Sequence, residues 1–270
     1  MKTIEVFMKI LIVCVNYNSY EELNQFLDSV EKSSNNAVET QVEVVVADNS
    51  TIKQTVDKSL YKSISVSQQN LDNLGYLGGA SAVLNNIRNI VKYKYVIISN
   101  VDVLFEDNTI KQMQDFEIGD DIAWVAPCIY SEKYQKDLNP NILNRYPKLK
   151  LRLLKLTYHR FVYQLYCKYY YSEKRKNASY SQTDIYAGHG SCIILTSIFF
   201  NDYKQIDYPI FLYGEELYFA ELIKRAQKRV VYTPSIVIKT TGGVSTSKLP
   251  SKSFCKFNID AINYILKTFY

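Results

Sequence analysis

Three short runs constrain this chain more than any other feature: Lys9–Val15 (KILIVCV), Val42–Val46 (VEVVV) and Tyr95–Ile98 (YVII). Each is almost unbroken apolar sequence rich in β-branched residues, so each fits a strand buried on both faces. Each also stops at a polar cluster: Asn16-Tyr17-Asn18-Ser19, Asp48-Asn49-Ser50-Thr51 and Ser99-Asn100-Val101-Asp102. Between the runs the apolar spacing turns helical. Leu23, Phe26, Leu27 and Val30 form one helix face, and Ser19 with Glu22 reads as its capping box. Ile64–Val66 is a further short strand, and Ala80–Ile90 a helix. This alternation predicts an α/β fold, a mostly parallel central sheet with helices on both faces. Polar strand ends collected on the carboxyl edge are where such sheets bind ligands, although Asn, Asp and Ser are also ordinary turn residues.

After Asp102 the alternation weakens. Ala123–Ile129 reads as a strand and Pro140–Tyr146 as a loop; Ile185–Leu195 reads as a loop holding Gly188-His189-Gly190 and then a strand. Glu215–Arg225 is helical, Val230–Tyr232 and Ile236–Ile238 are strands, and Ile259–Phe269 is a closing helix. No repeat or flexible linker interrupts the chain. The expected organisation is one domain over 1–270, with a regularly alternating half (1–105) and a less regular one (106–270).

Charge is unevenly placed. The whole chain carries +5, yet residues 145–176 hold ten Lys/Arg against the single acid Glu173, and seven of the 24 tyrosines. Leu154, Tyr158, Phe161, Val162, Leu165 and Tyr169 share a helical arc there, with Arg152, Lys155 and Arg160 off it. Such a basic amphipathic segment fits an anionic membrane surface, or a helix packed on the sheet with a solvated basic face. No nucleic-acid-binding motif accompanies it, so nucleic acid is not an expected partner. The longest apolar runs, such as Ile10–Val15, are far short of the ~20 residues of a membrane span. Five scattered cysteines without a Cys-x-x-Cys pair predict reduced thiols and a cytoplasmic setting, and two His give no zinc spacing.

Several motifs have chemical meaning beside a bland one. Asn73-Leu74-Gly75-Tyr76-Leu77-Gly78-Gly79, between a strand and a helix, allows close backbone approach to an anion, or is simply a tight loop. Asn100-Val101-Asp102 supplies two oxygen ligands for Mg²⁺ or Mn²⁺ on a diphosphate, or a helix cap. Phe211-Leu212-Tyr213-Gly214-Glu215-Glu216 puts two acids at a helix start, where they favour the dipole. Neighbours on a helix point about 100° apart, so one carboxylate can cap while the other faces a cleft as a general base. Gly242-Gly243-Val244-Ser245-Thr246 reads as an anion-facing loop or a turn.

These motifs, with Val15-Asn16-Tyr17-Asn18-Ser19 and Val231-Tyr232-Thr233-Pro234-Ser235, occur in one order over residues 9–246. In that order the chain resembles the family 2 glycosyltransferases of GT-A fold, in particular the rhamnosyltransferase-like branch of bacterial surface-polysaccharide synthesis. The resemblance implies an inverting enzyme that moves a sugar from a UDP- or dTDP-sugar to a saccharide acceptor, lipid-linked at the inner face of the plasma membrane. It implies a nucleotide-binding half (1–105), in which Val15, Asn16, Tyr17, Asp48, Asn73, Gly75, Asn100 and Asp102 bind the donor, and an acceptor-binding half (106–270). Asp102 would be the retained metal ligand for Mn²⁺ or Mg²⁺. Glu216 would deprotonate the acceptor with Glu215 as its acidic neighbour, and His189, Gly190 and Tyr213 would line the acceptor side.

The chain departs from the family at three positions. Glu216 replaces the commoner Asp, Asn100 replaces the first acid of the Asp-x-Asp motif, and Thr240 falls where many members have a metal-binding His. Asn100 and Thr240 keep a second reading open, a catalytically inactive homologue that binds nucleotide-sugar or partner proteins. A nucleotidyltransferase would need a basic Gly-rich loop after the first strand, where Asn16-Tyr17-Asn18-Ser19 stands instead.

Overall fold

The first strand shows how a continuous apolar run is used in two directions. In the computed structural model, which describes residues 7–159, 162–163, 180–241 and 251–270, β1 (Met8–Asn16) sends Leu11, Val13 and Val15 into one core and Ile10, Ile12 and Cys14 into the other. A strand feeding two cores has no polar face, which is why its sequence shows no alternation. The helix α1 (Tyr20–Asn35) follows, then β2 (Thr40–Asp48) and β3 (Ile64–Asn70). Next come α2 (Tyr76–Leu84), β4 (Tyr95–Asn100), β5 (Val103–Phe105), α3 (Thr109–Asp115), β6 (Ile122–Ser131) and the short β7 (Lys136–Asp137). The second half adds α4 (Lys148–Thr157), β8 (Thr183–Ile185), β9 (Cys192–Thr196), α5 (Ser197–Asp202), α6 (Glu215–Arg225), β10 (Arg229–Thr240) and α7 (Ser251–Phe269).

One sheet runs in the order β3-β2-β1-β4-β9-β6-β10-β5, with β7 beside β6 and β8 beside β10. Strands β3, β2, β1 and β4 are parallel, as is the pair β6–β10. Strand β9 lies antiparallel between β4 and β6, and so joins the two parallel blocks. Leu23, Phe26 and Leu27 of α1 and Ile110 and Met113 of α3 cover one face. The other face is covered by α2, α5, α6 and α7 through Leu77, Phe199, Phe219 and Ile265. Helices on both faces of an α/β sheet were expected, and the sheet is mixed rather than parallel throughout.

Local expectations fare unevenly. Ser19 precedes α1, but its side chain makes no capping bond and its hydroxyl donates to the Tyr17 carbonyl at 3.3 Å. The helix expected over Ala80–Ile90 begins at Tyr76 and ends at Leu84. The two strands expected around Pro234 are one strand, β10, whose register with β6 breaks between Thr233 and Val237. Cys14, Cys128, Cys192 and Cys255 are thiols, as the spacing predicted. Gly242–Thr246, Cys167 and most of the basic segment beyond His159 lie outside the described residues.

Candidate active site

At the carboxyl edge Asn16 and Asp48 are register partners. Both are fully buried, so each needs hydrogen bonds. The Asn16 amide donates to Asp48 Oδ1 and to Ser50 Oγ, both at 3.1 Å, and its oxygen accepts the Ser19 N–H at 3.2 Å. That last bond takes the N–H that Glu22 would accept in a capping box, while the Ser19 hydroxyl is turned to the Tyr17 carbonyl. The second Asp48 oxygen accepts the Tyr20 hydroxyl at 2.6 Å and Gln68 Nε2 at 3.2 Å. Burial alone would raise the Asp48 pKa, but the bonds from Ser50 and Tyr20 outweigh it and hold the carboxyl below its ordinary value. Asp48 therefore stays ionised and knits the first two strand ends together. Beside it Tyr17 is exposed, while the Val15 side chain belongs to the core.

The Asn73–Gly79 segment is pinned to the second half of the chain. Gly75 has φ +77° and ψ −174°, a conformation open essentially to glycine alone. A Cβ there would stand 1.9 Å from the Phe211 carbonyl oxygen. That oxygen accepts the Tyr76 N–H at 3.2 Å, and the Tyr76 hydroxyl donates to the Gly190 carbonyl at 2.9 Å. Asn49 donates to the Gly75 carbonyl at 2.8 Å, and Asn73 accepts the Gly75 N–H at 3.3 Å. Thus the strand-end loop, the aromatic turn and the His189 loop are fastened to one another through α2.

The two acids of α6 divide as a helix start allows. Glu215 is buried and accepts the Tyr213 N–H at 3.0 Å, closing the turn that Gly214 opens at φ +84°. Burial, reinforced by the neighbouring Glu216 charge, pushes the Glu215 carboxyl up to about 8. Glu216 is half-buried and accepts the Gly190 N–H at 3.2 Å. Gly190 leaves room for it: a Cβ there would lie 2.6 Å from Glu216 Oε1. Tyr213 is half-buried and meets Phe254 of α7 edge-on at 5.1 Å.

His189 joins this centre to a second space. Its N–H donates to Asn139 Oδ1 at 2.8 Å. Its Nδ1 accepts the Ser191 N–H at 3.2 Å, which requires that nitrogen to be unprotonated. Burial lowers the His189 pKa against the opposing pull of Glu216, Asp102 and Asp137, so the ring is neutral with its proton on Nε2. The same burial-plus-carboxylate field, from Glu215, Glu216 and Asp102, raises the Tyr76 hydroxyl well above its ordinary value. These carboxylates therefore surround one centre, between the end of β4 and the start of α6. Beyond His189 opens a pocket of about 590 Å³, walled by Asn139, Asn141, Tyr146, Lys150 and Tyr180.

Asn100 ends β4 with its N–H on the Ser191 carbonyl at 2.9 Å, and Asp102 follows, 8% exposed. Among the described residues no three His, Cys, Asp or Glu side chains group as a metal site. Thr240 donates its hydroxyl to the Asp102 carbonyl at 3.1 Å. One carboxylate and one amide oxygen suit a hard divalent cation only as part of a shell completed by phosphate oxygens. In that form the residues fit the ion.

The structure thus brings together Asn16 and Asp48 at one strand edge. Gly75 meets the aromatic turn, and Asp102, His189, Gly190, Glu215 and Glu216 gather around Tyr76. Sequence reasoning placed Ser191 within the Gly188–Ser191 segment on the acceptor side and passed over Tyr76 and Asn139 as site residues. Tyr76 stands inside a motif already singled out, whereas Asn139 reaches His189 across 50 residues and left no local signal.

No family model matches the chain, and no curated protein sequence does. Among solved structures, S. aureus TarS is similar over 97% of this chain and 44% of its own, at 13% identity and TM-score 0.54. S. aureus TarS 1-349 in complex with UDP-GlcNAc is similar over 97% of this chain and 71% of its own, at 14% identity and TM-score 0.52. GalNAc-T7 with UDP, GalNAc and Mn²⁺ is similar over 90% and 45%, at 12% identity and TM-score 0.57. The chain spans less than half the length of the first TarS structure and of GalNAc-T7. At these identities the likeness shows the fold: this is the α/β GT-A fold of glycosyltransferases.

Proposed function

We propose that the chain transfers a sugar from a nucleoside diphosphate donor to a saccharide hydroxyl, with inversion at the anomeric carbon. The observation that carries this reading is the placement of Glu216, a half-buried carboxylate held by the Gly190 N–H, in one electrostatic centre with Asp102 and neutral His189. The bound nucleotides of the TarS and GalNAc-T7 structures favour a uridine diphosphate donor, with dTDP as the alternative base.

In this reading the edge of β1 and β2 takes the nucleoside: Tyr17 offers the exposed ring, Asn16 and Asp48 hold the loop, and Asn73 and Gly75 approach the diphosphate. Asp102, with Asn100, would hold Mn²⁺ or Mg²⁺, which would supply positive charge to the leaving diphosphate. Glu216 takes the proton of the acceptor hydroxyl as its oxygen bonds to the anomeric carbon. The bond from that carbon to the diphosphate breaks on the opposite side. No enzyme nucleophile intervenes, so one displacement inverts the centre. Glu215 closes the turn that aims Glu216, and the pocket beyond His189, with Gly190 and Tyr213 beside it, takes the acceptor. Residues 1–105 thus serve the donor and 106–270 the acceptor, in one domain. The acceptor is a lipid-linked saccharide of a surface polysaccharide, as the rhamnosyltransferase-like motifs suggest.

Glu216→Gln tests the reading directly. Transfer is expected to fall about 10²–10⁴-fold, with nucleotide binding near wild type. Retained turnover removes Glu216 as base. Thr240 in place of a metal-binding His favours a second reading, an inactive binding homologue. Wild-type protein that binds UDP-sugar yet shows no transfer with Mn²⁺ and varied acceptors would establish that one.

A further inference from the structure

The helix α4 is apolar on two opposite sides, and among the described residues only one of them is covered. Successive helical residues turn by about 100°. Leu151, Leu154 and Tyr158 fall on one side; Leu151 is buried, and Tyr158 meets Phe254 of α7 edge-on at 5.9 Å. Leu149, Leu153 and Leu156, at i, i+4 and i+7, fall on the other and are 66%, 54% and 55% exposed. A helix that packs on its own domain with one face ordinarily carries polar residues at such positions. Here the outer stripe is bordered by Lys150 on one flank and by Lys148, Arg152 and Lys155 on the other, and α4 contains no Asp or Glu.

We propose that this face of α4 docks the protein on an anionic lipid surface. Leu149, Leu153 and Leu156 would enter the boundary between headgroups and acyl chains, and the flanking cations would rest on lipid phosphates. Charge decides against a second copy of the chain as the occupant. Two such faces would press Lys150, Arg152 and Lys155 of one copy against their like in the other. Size decides the same way: ten helical residues present a face of about 15 Å by 10 Å, or about 150 Å², far short of the roughly 800 Å² per partner of a stable interface. The sequence beyond α4 adds Arg160, Lys168, Lys174, Arg175 and Lys176 to the same sign. Lys150 also walls the 590 Å³ pocket, so an acceptor held there would lie beside the lipid surface. The docking surface does not depend on the catalytic reading.

The test is flotation of the whole chain with vesicles of phosphatidylcholine mixed with phosphatidylglycerol, and with phosphatidylcholine alone. Wild type is expected to float with the anionic vesicles and to dissociate as salt rises. The triple variant Leu149→Gln, Leu153→Gln, Leu156→Gln should lose at least about tenfold in that binding with its melting temperature unchanged. Arg152→Glu with Lys155→Glu should lose it as well, leaving the apolar stripe intact. Equal binding by wild type and the triple variant, or no binding by wild type, would overturn the proposal. A wild-type dimer that the triple variant turns into monomer would overturn it too, in favour of contact between copies.

Discussion

Gly190→Ala is the sharpest perturbation of the proposed catalytic centre, because it moves the proposed base without removing it. The added Cβ would lie 2.6 Å from Glu216 Oε1, where ordinary contact begins at about 3.4 Å. The carboxylate sits at the end of a flexible side chain, so it retreats by most of that difference instead of forcing the backbone apart. The 3.2 Å bond from the Gly190 N–H is then stretched or lost. A displacement approaching 1 Å at a catalytic group costs about 10²-fold in rate, or about 2.7 kcal/mol of transition-state stabilisation. The fold loses one hydrogen bond, about 1 kcal/mol, which the stiffer unfolded chain partly offsets. Steady-state kinetics with calorimetric nucleotide titration would separate the two effects. The expectation is a kcat lowered about 10²-fold, an unchanged nucleotide Kd and a melting temperature within a few degrees. Wild-type kcat in Gly190→Ala would refute the idea that this contact aims the base.

Three further outcomes follow from other contacts of the fold and the site. Gly75→Ala should destabilise severely, since backbone strain alone costs about 1–3 kcal/mol and the Phe211 carbonyl blocks the methyl; urea unfolding reads it. Arg145 binds the 2%-exposed Glu221 at 2.7 and 3.1 Å, with the Tyr186 hydroxyl beside it at 2.6 Å. Arg145→Met should therefore cost about 3–5 kcal/mol, and a loss below about 1 kcal/mol would mean that water reaches Glu221. The folded-state pKa of Glu215 is raised to about 8, so its contribution is full below the ordinary carboxylate range and lost as pH rises toward 8. Glu215→Gln should flatten that part of the stability–pH curve, and an unaltered slope would show that Glu215 is not the group titrating.

The sequence was most legible where one physical demand dominated. β1, β2 and β4 are buried on both faces, and that demand writes an apolar run no other element imitates. β9 and β5 were harder. They are three to five residues long and owe their place to neighbours from the other half of the chain. The capping box at Ser19 failed because a rival acceptor, Asn16 Oδ1, takes the Ser19 N–H. In α4 the expected single arc opened on the inward Leu154 and Tyr158 and missed the Leu149–Leu156 stripe, since one amphipathic period cannot describe a helix apolar on two sides. The carboxylates of the site stood out as motifs. The contacts that aim them span 26 residues from Gly190 to Glu216 and 50 from Asn139 to His189, and no local pattern encodes those.

The tie between Gly75 and Phe211 bears on how such a scaffold can diversify. The loop proposed to meet the donor and the turn proposed to carry the base are not separate modules, because one side's backbone fits only while the other offers a bare carbonyl. Grafting a foreign loop over residues 70–79, to change the sugar nucleotide accepted, would unseat Glu216 unless residues 208–216 came with it. Exchange of specificity in this scaffold has to proceed by paired segments, or by side chains that leave both backbones where they are.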